Sequence, residues 1–359
     1  MRVRSIGLQQ FRNVASARLE LTGRLQFLVG ANGQGKTNLL EAVGFITALR
    51  SFRSFDQSTL IRHGEREAAI ACDIEHEVEG ESNLRVNFKP GAKEAWLDGT
   101  RVTRLAEVIG RFPTVVFSSQ DQLLVRGSPA GRRRWLDLTL SATDSGYLKA
   151  LQAYHRALAG RNALLKRAAS DAELDAFEFV MADEGAVLIR RRREALAELG
   201  GVLTDNYAQI ADRAEAAGFA YAPQVAADDP AVLRAKFQSG RTRDRMLKST
   251  GNGPHRDDFG FLLQQKEAKE FASEGQQRAL VLSLRLAQAA WFKRRTKIDP
   301  VLLADDVLGE LDPARRERFW SAVPVASQII ATGTTEPGNQ LGAWQVWQVT
   351  AGLFKKVGA

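Results

Sequence analysis

The eight residues from Gly30 to Thr37 constrain this chain more than any other feature. They read Gly30-Ala31-Asn32-Gly33-Gln34-Gly35-Lys36-Thr37, a G-x-x-x-x-G-K-T pattern. The apolar run Gln26-Phe27-Leu28-Val29 leads into them, and the helix-forming stretch Asn38-Leu39-Leu40-Glu41-Ala42-Val43 leads out. Strand, glycine loop and helix in that order are the context that gives the pattern physical meaning. Glycines let successive backbone N–H groups converge on phosphate oxygens, and the helix N-terminus adds a favourable dipole. Lys36 would reach the outer phosphates, and Thr37 would ligate Mg²⁺. The loop therefore asks for an α/β fold around it.

Two later segments read as partners of the loop. Val301-Leu302-Leu303-Ala304-Asp305-Asp306 is an apolar strand ending in carboxylates. Asp305 would hold Mg²⁺ through its waters, and Asp306 is placed to orient or deprotonate an attacking water. Ser273-Glu274-Gly275-Gln276 has the form of a capping box, with the apolar helix Ala279-Leu280-Val281-Leu282 behind it. Capping accounts for Ser273 and Gln276 but not for Gly275, a poor helix former that would let a phosphate approach the backbone.

Strand signals cover the start of the chain, residues 68–98, Thr114-Val115-Val116-Phe117 and much of the stretch after Phe259. Asp98-Gly99 marks a hairpin turn. Between these parts, Leu151, Leu158 and Leu165 recur every seven residues, with Tyr147 and Tyr154 as a second seam. Leu174, Met181, Leu188, Ala195 and Val202 repeat the spacing, and Ser170-Asp171 can turn the chain. The pattern predicts a short antiparallel helix hairpin. The domain reading is a split head, residues 1–125 with 256–359, and an inserted helical arm, residues 126–255.

A length of 359 residues suits two domains. The net charge of +8 favours a polyanionic partner. Residues 1–66 hold ten Lys/Arg against four Asp/Glu, and residues 234–256 hold seven against one. Arg132, Arg133 and Arg134, together with Arg241, Arg243, Arg245 and Lys248 in a Gly/Ser-containing loop, are the candidate DNA contacts. Arg190 to Arg193 read as a solvated helix face. Cys72 is the only cysteine, which excludes an internal disulfide and fits a reducing cytosol. No apolar run is long enough to span a bilayer, so the expected place is the cytoplasm, near the nucleoid. The four histidines have no metal-site spacing.

The order of phosphate loop, Ser-x-Gly-Gln, Asp-Asp and Glu310-Leu311-Asp312 resembles an ABC-type ATPase head. Phe11-Arg12-Asn13, Ser51-Phe52-Arg53, Gly127-Ser128-Pro129 and Gly253-Pro254-His255-Arg256-Asp257-Asp258 narrow the resemblance to the RecF family of SMC-related repair ATPases, over nearly the full chain. The resemblance implies an ATP-dependent homodimer in which Ser273, Gly275 and Gln276 close the partner's ATP. It implies Gln120, or else Asp121, as a metal- or water-contacting residue, and Asp312 as a link between the two sites. Thr332 stands where transporter ATPases have a histidine, and Asp306 replaces their glutamate, which implies slow hydrolysis. It also implies binding of single- and double-stranded DNA without sequence preference, and work with RecR and RecO to load RecA recombinase at gaps in the SOS response. A transporter-type ATPase subunit is the alternative, opposed by the helical insertion and by Thr332. A long-armed structural SMC protein is opposed by the shortness of the arm.

Overall fold

A computed structural model describes the chain apart from residues 55, 168, 212–214, 308–310, 339–341 and 359. It divides into two compact units. The first comprises Met1–Asp121, Gln209–Asp212 and Leu282–Ala359, and the second Gln122–Ala208 and Arg213–Val281.

The first unit holds two six-stranded sheets. In one, β1 (Arg2–Phe11), β2 (Val14–Glu20), β4 (Ala68–His76), β5 (Gly80–Lys89), β6 (Ala92–Leu97) and β7 (Thr100–Arg101) pair antiparallel in the order β2-β1-β4-β5-β6-β7. Burial alternates residue by residue along β4, as it must when one face packs and the other meets water. The β6–β7 turn is Asp98-Gly99 with φ of 51° and 77°, the two left-handed residues of a tight hairpin. The other sheet runs β15-β14-β3-β13-β12-β8, with β3 (Leu25–Val29), β8 (Thr114–Ser118), β12 (Val301–Asp305), β13 (Ile329–Gly333) and β14 (Gln345–Thr350) parallel. Only β15 (Leu353–Lys356) is antiparallel. All five residues of β3 are buried, which explains its uninterrupted run of mostly apolar side chains. Helix α1 (Lys36–Phe45) supplies Leu39, Leu40 and Val43 to a core shared with Ile6, Ile70, Val86, Leu303 and Ile330 from both sheets. Helix α9 (Pro313–Ala322) is capped by Asp312, whose side chain accepts from the Arg315 N–H.

The second unit is mainly helical: α2 (Gln122–Arg126), α3 (Pro129–Ser141), α4 (Ser145–Lys166), α5 (Asp171–Ala211), α6 (Pro230–Leu247) and α7 (Ala268–Phe271). Strands β9 (Ala217–Ala222), β10 (Asp258–Leu263) and β11 (Lys266–Glu267) form a small sheet. Helix α8 (Glu274–Thr296) begins in this unit. The expected helix hairpin is α4 and α5, of 22 and 41 residues. The sevenfold seam of α4 continues beyond the tyrosines: Tyr147, Tyr154 and Arg161 are all fully buried. Arg161 fits there because Glu178 and Asp244 meet its guanidinium at 2.9 and 2.7 Å. Unit 2 also takes in residues 122–125 and 256–281, beyond the 126–255 read as an arm.

Candidate nucleotide site

The phosphate loop leaves β3 at the carboxyl end of a parallel sheet, the edge at which α/β folds bind ligands. Its glycines have different reasons to be there. Gly35 has φ 112°, and a Cβ on it would lie 2.7 Å from Asn13 Oδ1. A Cβ on Gly30 would collide with the Val349 carbonyl. Gly33 has φ 78° and open space around it, which leaves room for a ligand against the backbone. Gln34 is pinned three ways: its carbonyl accepts from Asn13 Nδ2 at 3.2 Å and from the Gly352 N–H at 2.8 Å, and its Oε1 accepts from the Ala351 N–H at 2.7 Å. Lys36 is 6% exposed and donates to the Gly30 and Ala31 carbonyls at 2.6 and 3.0 Å.

A buried carboxylate organises the residues behind the loop. Glu41 on α1 accepts a bidentate pair from Arg12, at 2.9 and 2.7 Å, a bond from Ser51 Oγ, and a long 3.5 Å contact from Arg53. Arg53 also donates to Asn38, and Asn38 donates to Asn13. The strings Phe11-Arg12-Asn13 and Ser51-Phe52-Arg53 thus meet on one helix face. An open cleft of about 930 Å³ is lined by Arg12, Asn13, Asn38, Arg53, Arg62 and His63, and so shares Asn13 and Asn38 with the supports of the loop.

Strand β12 delivers the acidic end. Thr37 Oγ1 donates to Asp305 Oδ1 at 2.7 Å, and Thr332 Oγ1 donates to the same oxygen at 3.2 Å. Burial pushes the Asp305 carboxyl above the ordinary range, against the pull of those two hydroxyls and of Arg53. Asp306 turns off the strand with φ 55°, and its N–H donates to Thr332 Oγ1 at 2.9 Å. Ser118 of β8 pairs with Asp305 across the sheet, and the exposed Gln120 follows two residues later. Asp121 is buried on Arg285 instead, which leaves Gln120 as the side chain available at this end. An ammonium, helix-start amides, a hydroxyl and a carboxylate are a donor set that fits a polyphosphate and a hard cation. Glu310 lies outside the described residues.

The segment Ser273–Gln276 belongs to the second unit. It forms the reciprocal box: the Ser273 N–H donates to Gln276 Oε1 at 2.8 Å, and the Gln276 N–H donates to Ser273 Oγ at 3.3 Å. Ser273 is exposed and Gly275 partly so.

The family described as RecF/RecN/SMC N terminal domain matches residues 2–345. A DNA replication and repair protein RecF of Symbiobacterium thermophilum is 35% identical over 366 residues, covering 98% of this chain and 97% of the relative. The chain belongs to the RecF family. A solved structure of the "recombination mediator protein RecF-ATP in RecFOR pathway" is 27% identical, with a TM-score of 0.92 and coverage of 99% of this chain and 97% of that one. An Smc head bound to the C-winged helix domain of ScpA is 16% identical at a TM-score of 0.57, covering 99% and 97%, and shows the shared fold. This RecF-family chain therefore has the ABC-type ATPase head fold of a DNA replication and repair protein. Among the described residues no helix is long and apolar enough to cross a membrane.

The basic candidates divide sharply in this RecF-family structure. Residues 241–247 are helix, not loop, and Lys248 is the left-handed C-cap of α6. Arg241 is 8% exposed and gripped by Glu178 and Asp175, so its place as a DNA contact is corrected: its charge faces inward. Arg132 is likewise buried on Asp258 through two 2.8 Å bonds. Arg133 donates to the Asp257 carbonyl, and Arg245 pairs with Asp171. Arg134 is partly exposed; Arg243 and Lys248 are exposed. Arg192, inside the run read as a solvated face, is 2% exposed on Asp137 and Asp257. Sequence reasoning missed Glu41, which no phosphate-loop pattern specifies, although its place on the inward face of α1 was a signal.

Proposed function

We propose that this chain is a slow ATP-dependent switch that dimerises on ATP and binds single- and double-stranded DNA. In that role it assists RecA loading at gaps, with RecR and RecO, in the SOS response. Gly30 to Thr37 would hold the phosphates, with Lys36 moving its ammonium from two carbonyls of its own loop to the anion. The cleft beside Asn13 and Asn38 would take the nucleoside. The observation that carries the reading is the 2.7 Å bond from Thr37 to Asp305, which brings the phosphate loop and the acidic strand together where a cation would sit. Mg²⁺ would be held there by Thr37 and Asp305, with Gln120 at its edge, and would neutralise phosphate charge. Asp306 would orient the attacking water, and its short side chain suits slow turnover. Ser273, Gly275 and Gln276 would close the site of a second copy, since the first amides of a helix lack intrahelical acceptors and an exposed serine caps them. Arg134, Arg243 and Lys248 would meet DNA phosphates.

Static light scattering tests nucleotide, dimer and DNA together. The mass should double with Mg-ATP, rise again with duplex DNA at low salt, and lose the DNA increment at high salt. A mass unchanged by ATP would overturn the dimer reading.

A further inference from the structure

The capping box at the start of α8 is held from outside itself. The Gln276 side-chain amide has two unlike ends, and its role depends on which end faces Ser273. Gln276 Nε2 lies 3.3 and 3.2 Å from the two oxygens of Glu215. Glu215 in turn accepts from the hydroxyl of the fully buried Tyr207 at 2.9 Å. A carboxylate accepts hydrogen bonds and cannot donate them, so Glu215 selects the amide end that carries hydrogens. That leaves Oε1 for the Ser273 N–H, and the Gln276 N–H for Ser273 Oγ. Ser273 Oγ accepts that bond and is exposed, so its hydroxyl hydrogen can turn toward an anion.

We propose that Glu215 is the positioning residue of the lid, setting the orientation of Gln276 and through it the donor face of Ser273. It touches no nucleotide; it acts through Gln276. Tyr207 is on α5 and Glu215 is near the start of β9, so the long helix reaches the lid through two side chains. The proposal rests on the reading of Ser273 as a lid for a second copy, and it adds what holds that lid in its donating form.

The test exchanges the two groups. Gln276→Glu sets two carboxylates face to face and should weaken ATP-dependent dimerisation about tenfold. Glu215→Gln alone should stay within about threefold of the parent, because its amide oxygen can still accept. The double variant, Glu215→Gln with Gln276→Glu, restores one amide against one carboxylate and keeps the box, since glutamate serves there as well as glutamine. Its dimerisation should recover at least about threefold over that of Gln276→Glu alone. Sedimentation velocity over a concentration series reads the dimer, and melting temperature confirms folding. A double variant as weak as Gln276→Glu, or a Gln276→Glu that dimerises normally, would overturn the role of Glu215. Ser273→Arg is the separate arm: if it dimerises normally with ATP, the lid reading itself fails. If it does not dimerise and the exchange gives no rescue, only the role of Glu215 fails.

Discussion

The two units place their arginines differently around buried carboxylates. In the first, a carboxylate, Glu41, is enclosed and its arginine partners reach it from the rim of the cleft. In the second, the guanidiniums of Arg161, Arg192 and Arg241 are enclosed too, against Glu178, Asp244, Asp137 and Asp257. The first arrangement leaves cationic groups beside the open cleft, where they can act. The second withdraws cations from the surface and uses them as cross-links between helices. A basic composition therefore does not translate into a basic face of the same size.

Cutting a cross-link in the second unit should have the largest effect. Arg161→Ala strips the buried Asp244 of its guanidinium and the buried Glu178 of one of its two arginines, and should cost about 3–5 kcal/mol. Hydrogen exchange across α4, α5 and α6 reads that loss; a cost under about 1 kcal/mol would break the contrast. In the first unit the expected penalty is in chemistry. Lys36→Arg keeps the charge but changes its shape, and should lower ATP turnover about a hundredfold, near 2.7 kcal/mol, with little change in melting temperature. Normal turnover would remove Lys36 from the phosphate role.

Acid should sharpen the contrast further. Burial lowers the His255 pKa from 6.5 to about 4, and the neutral ring is held between Tyr154 and the Thr250 carbonyl. The folded ring binds its proton less readily than the unfolded one, so its full contribution to stability is present above pH 6.5 and is lost as pH falls toward 4. At pH 5 the loss is about 2 kcal/mol. Urea titrations at pH 7.5 and 5 should show it, and His255→Gln should reduce it. An equal acid effect in that variant would place the loss elsewhere.

Much of the nucleotide half was legible because its determinants are local. A run of apolar residues, a glycine loop and a helix announce themselves within twenty residues, and so do Asp305-Asp306 and the capping box. The sheet order was not legible: nothing in Ser118 or Asp305 says that they are neighbours in adjacent strands. The buried arginines were misread for a physical reason. Charge ordinarily means surface, and only a carboxylate supplied from a distant helix reverses that, as Glu178 does for Arg161 and Arg241. The sevenfold spacing from Tyr147 through Tyr154 does point to Arg161. A seam should be followed through a charged residue before it is ended there.

The bracing of Gln34 by Ala351 and Gly352 bears on the birth of the protein. On the ribosome, β3 and the phosphate loop emerge long before both neighbours of β3 in the sheet, β13 and β14. Until they arrive, an apolar strand stands without hydrogen-bonded partners, exposed to aggregation and open to chaperones. Competence to bind nucleotide should then appear abruptly once β14 has emerged, and a chain stalled before β13 should not bind ATP.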